Sequence, residues 1–328
     1  MFLTPKSTLF CNVYFVYTIL MIGHKRQQAL LDLHMRSGAM SHAYLFSGAR
    51  HVGKMTFAKM VAVALLCEKR EAGKGMLFSC GTCRACVMTK AGSHPDMVVV
   101  DAEQSGETAL HLEDIQRVRE RAALSAYGGM CVFIIRDISR ITREAANAFL
   151  KVLEEPRGRV VFLLLAGVAD DVLPTIRSRV WHMRFWPMSE EILTVGIKKE
   201  YDVPSEQVAQ VVRLSGGLPG VAFRLVTSLD EQKLLEKEHM CIRTLFDASI
   251  AKRMKYAEKL RENPEGMQKW FTESIAILAD RVHVSLSQNN HEAIVAADQC
   301  KMLMEHEEQF LKPYGVKRIL FEDALIGM

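Results

Sequence analysis

The chain has 328 residues, of which 49% are hydrophobic and 9 are proline, so it is long enough for two or three domains with buried cores. This composition excludes an intrinsically disordered chain and a collagen-like one. The Lys and Arg residues outnumber the Asp and Glu residues by 42 to 38, a net charge of +4 that permits contact with nucleic acid without indicating it.

The amino-terminal segment contains an uncharged apolar run, Ser7 to Gly23, that looks like a signal anchor. The run is slightly shorter than a membrane span, includes Asn12 and lacks a small-residue cleavage site at its end. We therefore expect residues 1–20 to be a non-native or disordered leader, with the native start at Met21. A membrane anchor is the alternative.

The next part of the chain alternates apolar runs with helical patterns. The runs predict buried strands at 42–46, 97–101, 130–135 and 160–166. The patterns predict helices at 27–33, 55–66, 112–126 and 142–155. This alternation predicts an α/β domain with a parallel sheet covered on both faces, over residues 21–187. Residues 67–95 lack periodicity and are rich in glycine, so we expect a loop-like insert there.

The remainder of the chain has no strand pattern. Three short helices are predicted at 190–200, 205–214 and 220–228, and they form a small helical domain over residues 188–228. Residues 229–328 are predicted to be a second, all-α domain. Within it, apolar residues repeat every three or four positions from Phe271 to Leu286, and we favour an intramolecular core over a subunit interface as the reason.

A phosphate-binding motif lies between the first predicted strand and the following helix. Gly48, Gly53 and Lys54 fit the pattern G-x-x-x-x-G-K-[ST] in the strand–loop–helix context that the pattern requires. The glycines allow backbone N–H groups to approach phosphates, and the lysine reaches the outer phosphates. The sequence therefore predicts a loop of nucleotide-binding ancestry.

Two positions of this predicted site are unsuited to Mg²⁺. Met55 follows the lysine where Ser or Thr would hold the ion, and Thr56 is rotated about 100° further round the helix. Arg136 stands at the end of the third strand, where a carboxylate is expected. Asp137 is either the remnant of a water-activating carboxylate or a helix cap or surface charge. We predict weak or absent ATP hydrolysis by the chain alone, and leave nucleotide binding without turnover open.

Four of the eight cysteines are close together in the insert. Cys67, Cys80, Cys83 and Cys86 have the spacing of a tetrahedral Zn²⁺ site, which we favour over an iron–sulfur cluster or free thiols. Four thiolates leave no position for water on the metal, so the zinc would be structural. Clustered thiols also suit a reducing compartment, and we expect a cytoplasmic protein.

Two arginines flank a serine after the fourth strand. Arg177 and Arg179 lie at the rim of the predicted sheet. An arginine delivered to the γ-phosphate of another subunit can accelerate hydrolysis by roughly 10³ to 10⁵ fold. A solvated basic pair is the alternative if this segment is considered alone.

Taken together, these motifs resemble those of the delta prime subunits of bacterial DNA polymerase III clamp loaders, which are AAA+ proteins. The similarity covers about residues 21–225. It is carried by Ser41–Gly48 before the phosphate loop, the cysteine insert, His94–Asp96, Asn147–Pro156 and the arginine segment. The last hundred residues resemble the family only as a helical bundle.

The resemblance implies a five-subunit ring that loads the sliding clamp at primed DNA. In it, residues 188–228 would be the lid domain and residues 229–328 the collar, or oligomerisation, domain. Arg179 would be the trans-acting arginine, although Val180 replaces the cysteine of the family's Ser-Arg-Cys element. Pro219 stands where active motor subunits carry a sensor arginine, so this chain would be an ATPase-inactive component of the polymerase holoenzyme.

The implied partners are the gamma/tau and delta subunits, the clamp indirectly, and primed DNA within the complex, with a membrane not expected. Two other functions stay open. One is a self-sufficient ATPase like gamma/tau, which would rebuild a magnesium site from Thr56 and Asp137. The other is a membrane-tethered regulator with a vestigial nucleotide domain.

Overall fold

The computed structural model describes residues 21–69, 77, 79–102, 109–156, 158–287, 292–310 and 316–328. The predicted leader, residues 1–20, lies outside these ranges, so the choice between a leader and an anchor stays a prediction. Within the ranges, no helix combines the length and the apolar character that crossing a membrane requires.

The secondary structure alternates in the first half and is helical in the second. The first half contains α1 (Lys25–Arg36), β1 (Ala43–Ser47), α2 (Lys54–Leu66), α3 (Arg84–Lys90), β2 (Met97–Val100), α4 (Leu112–Ala123), β3 (Cys131–Ile135), a 3₁₀ turn (Ile138–Arg140), α5 (Arg143–Glu154), β4 (Val160–Ala166), α6 (Pro174–Arg177) and β5 (Trp181–Arg184). The second half contains α7 (Glu190–Glu200), α8 (Ser205–Leu214), α9 (Pro219–Thr227), α10 (Leu229–Phe246), α11 (Ile250–Leu260), α12 (Pro264–Ser287), α13 (Glu292–Phe310) and α14 (Lys317–Gly327).

The strands form one parallel sheet in the order β2-β3-β4-β1-β5, which confirms the predicted α/β sheet domain. Every residue of β1, β3 and β4 is buried. Parallel strands covered on both faces read as continuous apolar runs, which is why these strands were visible in the sequence.

Successive side chains of β1 point into two apolar cores on opposite faces of the sheet. Leu45 points into the core that α4 and α5 cover, with Phe133 and Phe162 stacked at 5.1 Å between ring centroids. Phe46 points to the opposite face, where it contacts Phe57 of α2 and Phe185. β1 therefore lies between β4 and β5, with an apolar core against each face of the sheet.

Three elements were not predicted. The sequence analysis did not predict β5, because it is a four-residue edge strand in which only Met183 is buried and which therefore has no apolar run. Helix α3 lies within the segment predicted to be loop-like, and Cys83 stands at its N-cap position. Helix α6 has only four residues and begins at Pro174, a favourable first helical residue.

The chain divides into two compact units. One contains the described residues up to Asp202 together with Gly217–Val221, and the other contains Val203–Gly216 with the rest of the chain. In the second unit, Phe271 and Leu278 of α12 are fully buried, and Ile275 and Val282 pack against the same core. The predicted three-part domain division stays a prediction.

A buried arginine joins two helix ends in the helical unit. The guanidinium of Arg253 donates hydrogen bonds to the carbonyl oxygens of Leu245 (3.0 Å), Phe246 (2.8 Å) and Leu325 (3.3 Å). Leu245 and Phe246 end α10, and Leu325 lies in the last turn of α14. Carbonyl groups at helix ends lack intrahelical hydrogen-bond donors and carry partial negative charge. The Arg253 guanidinium provides both the donors and a compensating positive charge.

Replacing this cation should destabilise the helical unit. We expect Arg253→Met to cost about 2–4 kcal/mol of unfolding free energy, because methionine fills the space of the stem but leaves buried carbonyl oxygens without donors. Urea unfolding followed by circular dichroism measures the change. Lys252→Met, on the exposed neighbour, is the control and should shift stability by no more than about 0.5 kcal/mol. Equal stability of the two variants would contradict the assignment.

Candidate phosphate loop, cysteine cluster and exposed arginine

The phosphate loop begins where β1 ends. The N–H of Gly48 donates to the carbonyl of Gly167 after β4 (3.0 Å), and the N–H of Phe185 donates to the carbonyl of Ser47 (2.7 Å). Gly48 has φ 149°, and a Cβ there would lie 2.4 Å from the carbonyl oxygen of Phe185. Only glycine fits at this position, because the chain following β5 passes directly against it.

Lys54 is the first residue of α2 and bends back over the loop. Its Nζ donates to the carbonyl of Ala49 at 2.7 Å and to that of Gly48. Burial lowers the pKa of Lys54 to about 8, an effect that the nearby Asp137 carboxylate opposes and Arg50 reinforces. The ammonium group is therefore still mostly protonated at pH 7, and the loop retains its predicted cation.

The residue after the lysine has no ligand for a hard cation. Met55 packs against the apolar core beside α1 and α2, and Thr56 is exposed. A thioether is a poor Mg²⁺ ligand, and the one hydroxyl nearby in the sequence points to solvent. The loss of a Mg²⁺ ligand at this position stays a prediction.

The end of β3 carries a cation that is already paired. Arg136 forms an ion pair with Asp101, whose side chain is almost fully buried, so the carboxylate that follows β2 is neutralised.

Asp137 precedes the 3₁₀ turn in a left-handed conformation (φ 45°) but makes no side-chain cap. Its Oδ2 lies 4.0 Å from Nη2 of Arg50 in the loop. Asp137 therefore faces the phosphate loop instead of capping a helix.

The segment that begins α9 returns to the same loop. The N–H of Gly220 donates to the carbonyl of His51 (2.9 Å), and a Cβ at Gly53 would lie 3.8 Å from Pro219. His51, His24 and Asp137 are the non-glycine residues of the described chain with positive φ, and all three surround the loop. Sequence reasoning missed His24, whose ring nitrogen Nε2 lies 2.8 Å from the carbonyl oxygen of Val52, because a lone histidine gives no pattern.

The four cysteines of the insert come together in space. Their Sγ atoms all lie within 4.8 Å of one another, with 3.7 Å between Cys67 and Cys80 and 3.9 Å between Cys80 and Cys86. Zinc bound to four sulfurs at about 2.3 Å would separate them by about 3.8 Å, so the arrangement fits the ion. The residues could hold a metal such as zinc.

Local hydrogen bonds and burial set the pKa values and the conformation of the clustered cysteines. The backbone N–H groups of Cys83 and Thr82 stabilise the thiolate of Cys80 and lower its pKa to about 6. Burial and the neighbouring Cys83 and Cys67 raise the pKa of Cys86. Cys83 accepts a bond from the N–H of Cys86 in the first turn of α3, which explains why a helix begins inside the insert.

A buried carboxylate fixes the segment that follows the cluster. Asp96, from the His94–Asp96 motif, accepts bonds from the N–H groups of Gly128 (2.6 Å) and Tyr127 (3.0 Å) and pairs with Arg121 (2.5 Å). Burial alone would raise the pKa of Asp96, but these three donors outweigh it and hold the pKa below its ordinary value. These contacts could not be predicted from the sequence, because the partners lie 25 to 32 residues away.

The two arginines of the rim segment have different partners. Arg177 pairs with Asp170. Arg179 pairs with Glu154, the last residue of α5, at 2.6 Å, and donates from Nη1 to the carbonyl of Thr175 at 2.9 Å. The Arg179 side chain remains 38% exposed.

Comparison with known families decides the relationship of the chain. The family model described as "DNA polymerase III, delta subunit" matches residues 23–189, about half of the chain. The chain belongs to this DNA polymerase III delta subunit family. The matched residues include the phosphate loop, the cysteine cluster and the arginine segment, and the resemblance predicted from the motifs is confirmed.

Two relatives and one solved structure illustrate what the chain is similar to. The chain is 35% identical to the DNA polymerase III subunit delta' of Pseudomonas aeruginosa, over 61% of this chain and 60% of that protein. It is 31% identical to the subunit gamma/tau of Mycobacterium tuberculosis, over 60% of this chain and 34% of that protein. The solved RuvB branch migration motor of Thermotoga maritima is 15% identical, with a TM-score of 0.44 over 62% of this chain and 60% of that one. The chain thus spans about 60% of the length of the delta' relative.

Removing the Asp96 charge should destabilise the sheet unit of this family member in a pH-dependent manner. Because the pKa of Asp96 is lowered on folding, its contribution is complete above the ordinary aspartate pKa near 3.8 and is lost as pH falls through the folded value. We expect Asp96→Asn to lower the free energy of unfolding by about 2–4 kcal/mol at pH 7, since Arg121 and two N–H groups lose an anionic partner. The difference in unfolding free energy between the variant and the unaltered protein should shrink below pH 4.

Denaturant unfolding between pH 3 and pH 7 measures this difference. Asp170→Asn removes the same charge from an ion pair whose carboxylate side chain is 86% exposed, and it should change stability by less than about 0.5 kcal/mol. A pH-independent effect of Asp96→Asn would contradict the electrostatic explanation.

The cysteine cluster should contain one structural zinc ion per chain. Elemental analysis of protein purified without added metal is expected to find zinc in the unaltered protein and in Cys241→Ser, and little zinc in Cys83→Ser. Zinc removal by a strong chelator should lower the melting temperature, because the metal holds an insert with little core of its own. Iron with visible absorbance, or full zinc content in Cys83→Ser, would show that the assignment is wrong.

Proposed function

We propose that this chain is a clamp-loader subunit of DNA polymerase III that has little or no ATPase activity and supplies Arg179 in trans to the ATP site of a neighbouring motor subunit. Family membership supports the clamp-loader assignment. The implied partners are gamma/tau and delta subunits, with the sliding clamp and primed DNA reached through the complex. A cytoplasmic location, consistent with clustered reduced cysteines, is part of the proposal.

The loss of magnesium chemistry carries this proposal. Phosphoryl transfer depends on a metal held by a Ser or Thr hydroxyl and a strand-end carboxylate. Here the first position is Met55, packed among apolar side chains, and the second is Arg136, already paired with Asp101. Lys54 and the loop would still hold phosphates, but no residue in these positions would hold the ion that neutralises the developing charge.

The neighbouring strand end supports the same conclusion. β4 lies beside β1 in the sheet, and the chain leaves β4 through Gly167 and Val168. Neither side chain can hydrogen-bond, so this strand end offers no group to orient an attacking water. The chain is therefore better suited to assist a neighbour than to hydrolyse ATP itself.

Substitution of Arg179 tests the proposal. We expect Arg179→Ala to lower the primed-DNA-stimulated ATP turnover of a reconstituted clamp loader by at least about tenfold, because a trans-acting arginine contributes roughly 10³ to 10⁵ fold at its site. Arg177→Ala, which removes the neighbouring arginine, is the matched control and should retain most of the activity. The isolated unaltered chain should not turn over ATP.

Other outcomes would select other functions. Turnover by the isolated chain would indicate a gamma/tau-like ATPase that rebuilds its magnesium site from Thr56 and Asp137. Unchanged turnover with Arg179→Ala, in a complex that assembles normally, would show that Arg179 is a surface charge and that the trans mechanism is wrong.

A further inference from the structure

The guanidinium of Arg179 is nearly saturated by partners within its own chain. Nε donates to Oε1 of Glu154 (2.9 Å), and Nη2 contacts the same oxygen (2.6 Å). Nη1 donates to the carbonyl of Thr175 (2.9 Å) and to Oγ of Ser178 (3.2 Å). All three guanidinium nitrogens are therefore engaged, because three of the five N–H donors make hydrogen bonds and Nη2 is in ion-pair contact with Glu154. A phosphate can take a full edge of Arg179 only by displacing one of these partners.

Glu154 occupies a position that the helix itself disfavours. It is the last residue of α5, where the carbonyl ends of the helix carry partial negative charge. A carboxylate there is electrostatically unfavourable, and loss of its charge would not weaken the helix. The contact with Arg179, 25 residues along the chain, is a favourable interaction of this side chain.

The Glu154–Arg179 pair is weak enough to exchange. The two side chains are 49% and 38% exposed, and solvent screens ion pairs of this kind. A nucleotide phosphate carries more charge than a carboxylate and binds the same guanidinium edge through two parallel hydrogen bonds. Phosphate presented by a neighbouring subunit would therefore displace Glu154.

We propose that Glu154 is a placeholder for that phosphate. It holds Arg179 on the rim of its own subunit until a nucleotide-loaded neighbour takes over the guanidinium, and its removal lowers the nucleotide concentration needed for engagement. This inference rests on the proposed trans role of Arg179. Glu154 acts on nucleotide binding through Arg179 and not on the chemical step.

The test compares Glu154→Gln with Glu155→Gln in the reconstituted clamp loader with primed DNA. Glu155 is the adjacent exposed carboxylate at the same helix end, so the two variants change net charge and helix dipole alike. The ATP concentration for half-maximal turnover and the maximal rate are measured for both. We expect Glu154→Gln to lower the half-maximal concentration by about two- to fivefold, the upper value equivalent to about 1 kcal/mol, with the maximal rate unchanged.

A double-variant cycle assigns the effect to the arginine. In an Arg179→Ala background, Glu154→Gln should no longer change the half-maximal concentration, because the charge that it releases is gone. Binding of a non-hydrolysable ATP analogue by the assembled complex should shift in the same direction, which separates binding from turnover. Thermal unfolding of the isolated variants should match the unaltered protein.

Each contrary outcome has a distinct meaning. A lower maximal rate for Glu154→Gln would overturn the placeholder and make Glu154 a required positioning residue. Identical behaviour of the two glutamine variants would also overturn it. Full activity of Arg179→Ala would instead overturn the proposed function on which the inference rests.

Discussion

The hydrogen bonding of β1 between β4 and β5 is the constraint on which the rest of the first unit depends. Parallel pairing places the three carboxyl ends side by side, and the bonds from Gly48 to Gly167 and from Phe185 to Ser47 extend this pairing into the phosphate loop. The glycine conformation at Gly48 and the start of α2 follow from it. The loop is therefore formed by the sheet, whether or not it binds nucleotide.

The charges around the loop bear on the proposed lack of ATP hydrolysis. Lys54 and Arg50 provide positive charge and Asp137 faces them, while Arg136 and Asp101 neutralise each other where a metal site would need anions. The geometry of a phosphate site depends on backbone and glycines, but its catalysis depends on two or three ligand atoms. Single substitutions can remove the ligand atoms that catalysis needs and leave the backbone geometry of the phosphate site intact.

Three polar centres stabilise segments that the apolar cores do not reach. The cysteine cluster gathers an insert whose own buried apolar contacts are few, and Asp96 fixes the loop before β3 through N–H groups and Arg121. Arg253 does the same for helix ends in the other unit. In each case a buried or partly buried charged group satisfies backbone atoms that would otherwise lack partners.

The sequence by itself determined the parallel sheet, four of its strands and the cysteine cluster, and it predicted the phosphate loop with the loss of Mg²⁺ ligands at Met55 and Arg136. These features follow from local spacing and apolar periodicity, which a sequence displays directly. Only the tertiary structure decided that β5 completes the sheet, that Asp137 faces Arg50, and that Glu154 holds Arg179. Such pairings join residues far apart in the chain, and an exposed edge strand or a lone charge carries no periodic pattern that would indicate its partner.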